Sequence, residues 1–169
     1  MSRRYYRQPQ LSCRQQSGLV LVVALIFLLL VTLIGVSSMQ NATMQEKMAG
    51  SVTLKNLSFQ LAEATLRVGE NAVASSTYKL TQCSGAAACL PPPDSTSTTL
   101  SAGTGTNGVL WIANSTGDGF YGVQNIGTTS DAVNAPANCA ASATLYRITA
   151  VGISGISRTV LESVYAKCT

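Results

Sequence analysis

The chain reads as an α+β protein: one long N-terminal helix packed on a small C-terminal antiparallel sheet. Three observations predict this. An unbroken apolar run, Leu19 to Val36, follows a basic leader. Good helix formers and no proline then continue to about residue 76. Beyond a long Pro/Ser/Thr/Gly segment, four strand-like runs alternate with turn residues.

The leader comes first. Arg3, Arg4, Arg7 and Arg14 all precede Gly18 with no acid among them, and the remaining seven Lys and Arg balance the seven Asp and Glu. The net charge of +4 therefore belongs to the leader, and nothing later forms a basic surface suited to nucleic acid. The apolar run, interrupted only by Thr32 and Gly35, gives about 27 Å of helix, close to the hydrocarbon thickness of a bilayer. Secretory apolar regions stop at about 7–15 residues. Gly35 to Ser38, GVSS, still offers a conventional signal peptidase site as an alternative. The leader arginines predict a cytoplasmic N-terminus, with everything after Val36 outside. QLSC, Gln10 to Cys13, is no lipoprotein site, because its cysteine precedes the apolar segment.

A helix from Leu19 to about Ser75 would be roughly 85 Å long. Glu63 and Arg67 stand at i and i+4 in the favourable order. Two apolar stripes run along its outer half: Val52, Phe59, Ala62, Leu66 and Val73 on one side, Leu54, Leu57, Leu61, Ala64 and Val68 on the other. A helix resting on its own sheet needs one stripe, so two predict a sheet and a set of neighbouring helices. A helix enclosed within one domain satisfies the same periodicity.

Cys83 to Gly108, with Pro91, Pro92 and Pro93, reads as a long surface loop. Strand-like runs follow at Val109–Asn114, Gly119–Ile126, Thr144–Ile153 and Thr159–Cys168. Ser154 to Ser157, SGIS, joins the last two as a hairpin. TGDGF, Thr116 to Phe120, lacks the alternating acids of a calcium loop and reads as a turn.

Five cysteines occur, and Cys13 lies in the leader. The other four, Cys83, Cys89, Cys139 and Cys168, fit an oxidising compartment and two disulfides. Four cysteines permit three pairings. Nearness in sequence favours Cys83–Cys89 and Cys139–Cys168, the latter bracketing the terminal hairpin. The chain has no His and no CxxC pair, and its acids are scattered. No metal site, cofactor or catalytic constellation is expected, and no enzyme.

QSGLVLVVALIFLLLVTLIG resembles the class III leader and hydrophobic start of type IV pilins. SSMQNATMQEKMAGS (Ser37 to Ser51) and SFQLAEATLRVGE (Ser58 to Glu70) resemble the helix of PilX-type minor pilins, with Gln45, Glu46, Lys47, Met48, Ala49 and Gly50 carrying much of the likeness. LYRITAVGISGISRTVLESVYAK (Leu145 to Lys167) is similar to their C-terminal hairpin.

The resemblance implies a pilin-like fold with a leader, residues 1–18, removed after Gly18 by a prepilin peptidase. It implies a helix over 19–76, whose segment 19–36 serves as membrane span and then fibre core. A disulfide-bonded periplasmic domain over 77–169 would follow. It further implies N-methylation of Leu19, a single-pass place in the bacterial inner membrane, and transfer to an extracellular pilus used in adhesion and twitching motility. The partners implied are other minor pilins and the major pilin through N-terminal helices, and a tip adhesin. One position departs from the pattern: Val23 stands fifth from Leu19, where most such pilins carry glutamate. The first acid is Glu46. A pseudopilin of a type II secretion system shares the glycine and apolar run. A membrane-anchored binding module that never polymerises is the third reading.

Overall fold

A computed structural model describes residues 17–133 and 142–168. Helix α1 spans Ser17–Ala74. The chain divides into two bodies at Lys47/Met48.

The first body, from residue 17 to 47, is helix alone. Ala, Leu, Val and Ile leave no low-propensity break, and Gly35 is tolerated inside the run. The hydroxyls of Thr32 and Ser37 turn back onto the carbonyls of Leu29 and Leu33, at 2.8 and 3.0 Å.

In the second body α1 lies on a five-stranded antiparallel sheet in sequence order: β1 (Gly103–Thr104), β2 (Leu110–Ala113), β3 (Gly119–Thr129), β4 (Ala143–Ser154) and β5 (Ser157–Cys168). Alternation sorts the side chains of each strand onto two faces. Tyr121, Val123, Tyr146, Ile148 and Ala150 form a core with Val73 beneath the helix. Phe120, Trp111, Val109 and Val151 form a second core on the other face.

The helix meets the sheet through small residues. Ser58, Ala62, Thr65, Gly69 and Val73 are the buried positions of its stripe. Gly152 makes that approach possible, because a Cβ there would collide with the Ser58 carbonyl and the Ala62 amide. A Cβ on Gly69 would stand 2.7 Å from Ile148 Cγ2. The Ser58 hydroxyl lies 2.8 Å from Thr159 Oγ1 and 3.1 Å from Ser157 Oγ.

This contact differs from the stripe read off apolar periodicity. Of that first stripe, Ala62 and Val73 are buried and Leu66 is partly buried, while Val52 and Phe59 face solvent. The sheet selects for a close backbone approach, and bulky side chains cannot provide one.

The segment Cys83–Gly108 lies mostly at the surface, as expected, but it is anchored rather than free. It lies over the sheet, held by side chains that reach its carbonyls. Gln124 Nε2 donates to Ala88 and Leu90, Arg147 to Cys89, and Arg158 to Ser95, at 2.7–3.2 Å. Asp94 accepts the backbone N–H and the hydroxyl of Thr106. The Trp111 indole N–H approaches the same carboxylate without closing a hydrogen bond of full geometry. Cys83 and Cys89 are bonded to each other, their Cα atoms 5.4 Å apart.

β3 runs three residues beyond the expected Ile126, through a bulge between Asn125 and Gly127. Gly127 takes φ +119° there, a conformation closed to most side chains. The β4–β5 turn narrows to Gly155 and Ile156, with Gly155 at φ +56°.

Candidate functional site

Among the described residues, each body leaves apolar surface exposed. In the first body no residue of the run from Leu19 to Val36 is buried. Burying one Val, Leu, Ile or Phe is worth about 1.5–3 kcal/mol, so the whole run carries on the order of tens of kcal/mol of unrealised burial. Leaving such a run in water is strongly disfavoured. Beyond the first turn, the polar backbone groups of the run are satisfied by the helix itself, as a bilayer or a dry protein core requires. By length and composition this helix can cross a membrane.

Gly18 sits in the first turn of α1, with nothing within 4 Å of the place a Cβ would occupy. Leu19 and Val23 are exposed on the helix surface. Val23 shares a shallow apolar concavity with Leu19, Val20, Ala24 and Phe27. Gln45, Glu46 and Lys47 lie exposed in the first body. Met48, Ala49 and Gly50 open the second body on the same helix and are also exposed.

In the second body, the helix flanks on either side of the buried stripe stay apolar and open. Val52 and Phe59 lie on one flank, Leu57, Ala64 and Val68 on the other. At 100° per residue the two flanks stand roughly 150° apart, with Asn56, Gln60 and Arg67 on the back between them. Glu63 and Arg67 pair there at 2.7 Å. The hydrogen bond that Arg67 donates to the Glu63 carboxylate raises the Arg67 pKa, but an exposed pair of this kind adds little stability. Its use is to keep the back of the helix wetted. Four surfaces thus follow one another around the helix: the sheet contact, two open apolar flanks, and a polar back between them.

Cys168 is disulfide-bonded, and the partner expected for it, Cys139, lies outside the described residues. The leader residues before Ser17, including Cys13, lie outside them too. Among the described residues no group of three His, Cys, Asp or Glu side chains is placed to hold a metal.

Two contributions escaped sequence reasoning. One is the small-residue contact of Ser58, Ala62, Thr65 and Gly69, which spacing at three and four residues could have shown had small residues been counted beside apolar ones. The other is the Asp94–Thr106 anchor, for which the sequence carries no signal.

Residues 17–67 match the PilX N-terminal family model. No curated protein and no solved structure matches the chain. Over residues 17–67, about a third of its length, the chain is similar to the N-terminal segment of PilX-type type IV pilins.

Proposed function

We propose that this chain is a minor pilin, a structural subunit that helps prime assembly of a type IV pilus and sits near the fibre tip. The observation that carries the reading is the family match over a helix whose first half is wholly exposed and apolar. Such a surface leaves a bilayer only if neighbouring helices cover it again. A fibre of side-by-side pilin helices supplies that cover, and the open flanks around Phe59 and Val68 provide further contact for neighbours.

In this reading the basic leader is cut after Gly18, Leu19 becomes the N-methylated terminus, and the domain from residue 77 onward faces the periplasm before export. The partners are the major pilin, other minor pilins and a tip adhesin.

The tip position follows from Val23. A carboxylate at that place in other pilins is thought to meet the terminal ammonium of the subunit above. Opposite charges attract strongly in a dry core, and either one alone is costly there. With valine, this chain offers no such partner upward, yet still presents its own Leu19 ammonium to a subunit arriving below. A place with nothing above it suits that asymmetry.

Antibody against the C-terminal domain should decorate fibre ends in electron micrographs. Regular labelling along the shaft would end the tip reading. The alternative, a minor pseudopilin of a type II secretion system, shares the same helix. Deletion of the gene separates the two: loss of surface pili supports the first, and loss of protein secretion with normal pili the second.

A further inference from the structure

One asparagine in the sequence, Asn107, is followed by glycine. The pair sits in the turn that joins β1 to β2, where the Gly105 N–H donates to the Val109 carbonyl at 2.8 Å. Asn107 takes φ +62° and Gly108 φ +72°. Two successive residues in that region favour Asn-Gly, because asparagine tolerates the left-handed conformation and glycine has no Cβ to oppose it. Among the described residues Asn107 is the one non-glycine residue that adopts it. The same pair also carries a reaction.

The Gly108 nitrogen and Asn107 Cγ close a five-membered ring when they meet. Once solvent base removes its proton, that nitrogen attacks Cγ, and the Cγ–Nδ2 bond breaks with release of ammonia. The cyclic imide left behind adds water at either carbonyl. Opening at Cγ gives an aspartyl residue. Opening at the backbone carbonyl gives isoaspartyl, whose main chain runs through Cβ and Cγ. The net change is one water taken up and one ammonia released, with no oxidant or reductant. A side chain on the following residue hinders the attack, and glycine has none.

The surroundings leave this asparagine open. Asn107 and Gly108 line a cleft of about 440 Å³ beside β2, so water and base reach them. Among the described residues no group hydrogen-bonds the Asn107 side-chain amide. The pair belongs to a single short turn, Thr106–Gly108, and local structure of that size opens at low cost. The other described asparagines are held. Asn41, Asn56 and Asn71 lie within α1. Asn114 Oδ1 accepts from the Gly117 N–H, and Asn125 Nδ2 donates to the Leu80 carbonyl, both at 2.8 Å. Asp118–Gly119, the aspartate counterpart of the pair, is fixed by the sheet. Its Asp118 carbonyl accepts from the Ile153 N–H and its Gly119 carbonyl from the Asn114 N–H, both at 2.8 Å.

We propose that Asn107 is a spontaneous modification site, converting to aspartyl and isoaspartyl forms in the folded chain and so unpinning the β1–β2 turn. Neither a membrane nor a fibre is needed for it. Both products place a carboxylate one residue from Thr106, whose N–H and hydroxyl hold the Asp94 carboxylate. Like charges so placed repel. Isoaspartyl also lengthens the main chain by one carbon inside the turn. That insertion works against the bond from Gly105 to Val109 and the pairing of Thr104 with Leu110. Trp111, 1% exposed and next to the Asp94 carboxylate, reports the change.

The test incubates the full-length chain, purified in detergent, at neutral pH and samples it over time. A protease that cuts before aspartate releases residues 94–117, which carry Asn107 and Asn114 together. Peptide mass scores the loss of NH and gain of O at each, and incubation in heavy-oxygen water marks products formed in the intact chain. A new cut before position 107 identifies the aspartyl product, and resistance there the isoaspartyl one. Asn107 should convert in the folded chain. The ratio of its rate to that of Asn114 should be at least about tenfold larger there than in a synthetic peptide of residues 94–117. Converted chains, separated by their added negative charge, should show altered Trp111 emission and a lower melting midpoint. Asn107→Gln, which would need a six-membered ring, should stay unconverted and keep the parent's emission. Because the wild-type chain alone decides the rates, a misfolded variant leaves the result standing. An intact Asn107 after the peptide has fully converted overturns the proposal. Equal ratios in chain and peptide overturn it too, since only unfolded chains would then react. Conversion that leaves emission and midpoint unchanged overturns the unpinning.

Discussion

Gly152→Ala should destabilise the second body far more than one methyl group ordinarily does. The added Cβ would collide with the Ser58 carbonyl oxygen and the Ala62 amide nitrogen, and stand 3.0 Å from Ala62 Cα. All three are backbone atoms of a helix, so no side chain can swing away. Overpacking a core costs about 1–3 kcal/mol where side chains can adjust, and a backbone clash belongs at or above the upper end. Lifting the helix also strains the bonds from Ser58 to Thr159 and Ser157, each worth about 1 kcal/mol. The expected loss is about 3–5 kcal/mol, a large share of the roughly 5–15 kcal/mol that holds a domain together. At about 4 °C per kcal/mol for a domain of this size, the melting midpoint should fall by more than about 10 °C.

Trp111 supplies the assay, being the only tryptophan and 1% exposed in the second core. Its fluorescence reports unfolding of the full-length protein in detergent. Gly155→Ala is the matched control. It places alanine at a left-handed φ of +56°, but its Cβ meets only the Leu54 side chain, at 3.5 Å. That costs about 1 kcal/mol. A Gly152→Ala midpoint within about 2 °C of the parent, or no lower than that of Gly155→Ala, would refute the close-packed account.

Cleavage should be intolerant of bulk before the scissile bond: Gly18→Val should leave full-length precursor in the membrane, whereas Ser38→Val changes nothing, as intact mass will show. Non-reducing peptide mapping should find Cys139 joined to Cys168, and Cys139→Ser should lower the yield of folded protein more than Cys83→Ser. A loop of about 30 residues constrains the unfolded chain more than the short Cys83–Cys89 ring. The Asp94 carboxyl is held below its usual pKa by the hydroxyl and backbone N–H of Thr106. A depressed folded value makes its contribution present above the unfolded pKa of about 3.9 and lost as pH falls through the folded one. Trp111 emission should therefore stay constant from neutrality to about pH 4 and change only below it. Asp94→Asn should flatten that acid limb, and an unchanged limb would remove Asp94 as its cause.

How far the sequence carried the fold depended on whether the signal was local. The apolar run and the terminal hairpin announce themselves by composition and turn residues, and the α+β class follows from them. The face of α1 did not, because periodicity weighs Val52, Phe59, Leu57 and Val68 while the sheet takes Ser58, Ala62, Thr65 and Gly69. The segment after Cys83 reads as solvent-facing because it is rich in Pro, Ser and Thr. Its anchors, Gln124, Arg147 and Arg158, come from strands dozens of residues away, and no local pattern encodes them. β1 is too short to carry a period at all. For the candidate site, the exposed apolar helix was legible.

Intact mass of this chain recovered from sheared, purified fibres tests the central claim most directly. The account predicts recovery in the fibre fraction with a single terminus at Leu19, one methyl group heavier than the bare sequence, and both disulfides formed. Absence from fibres, retention of the leader, or a terminus at Met39 would contradict it.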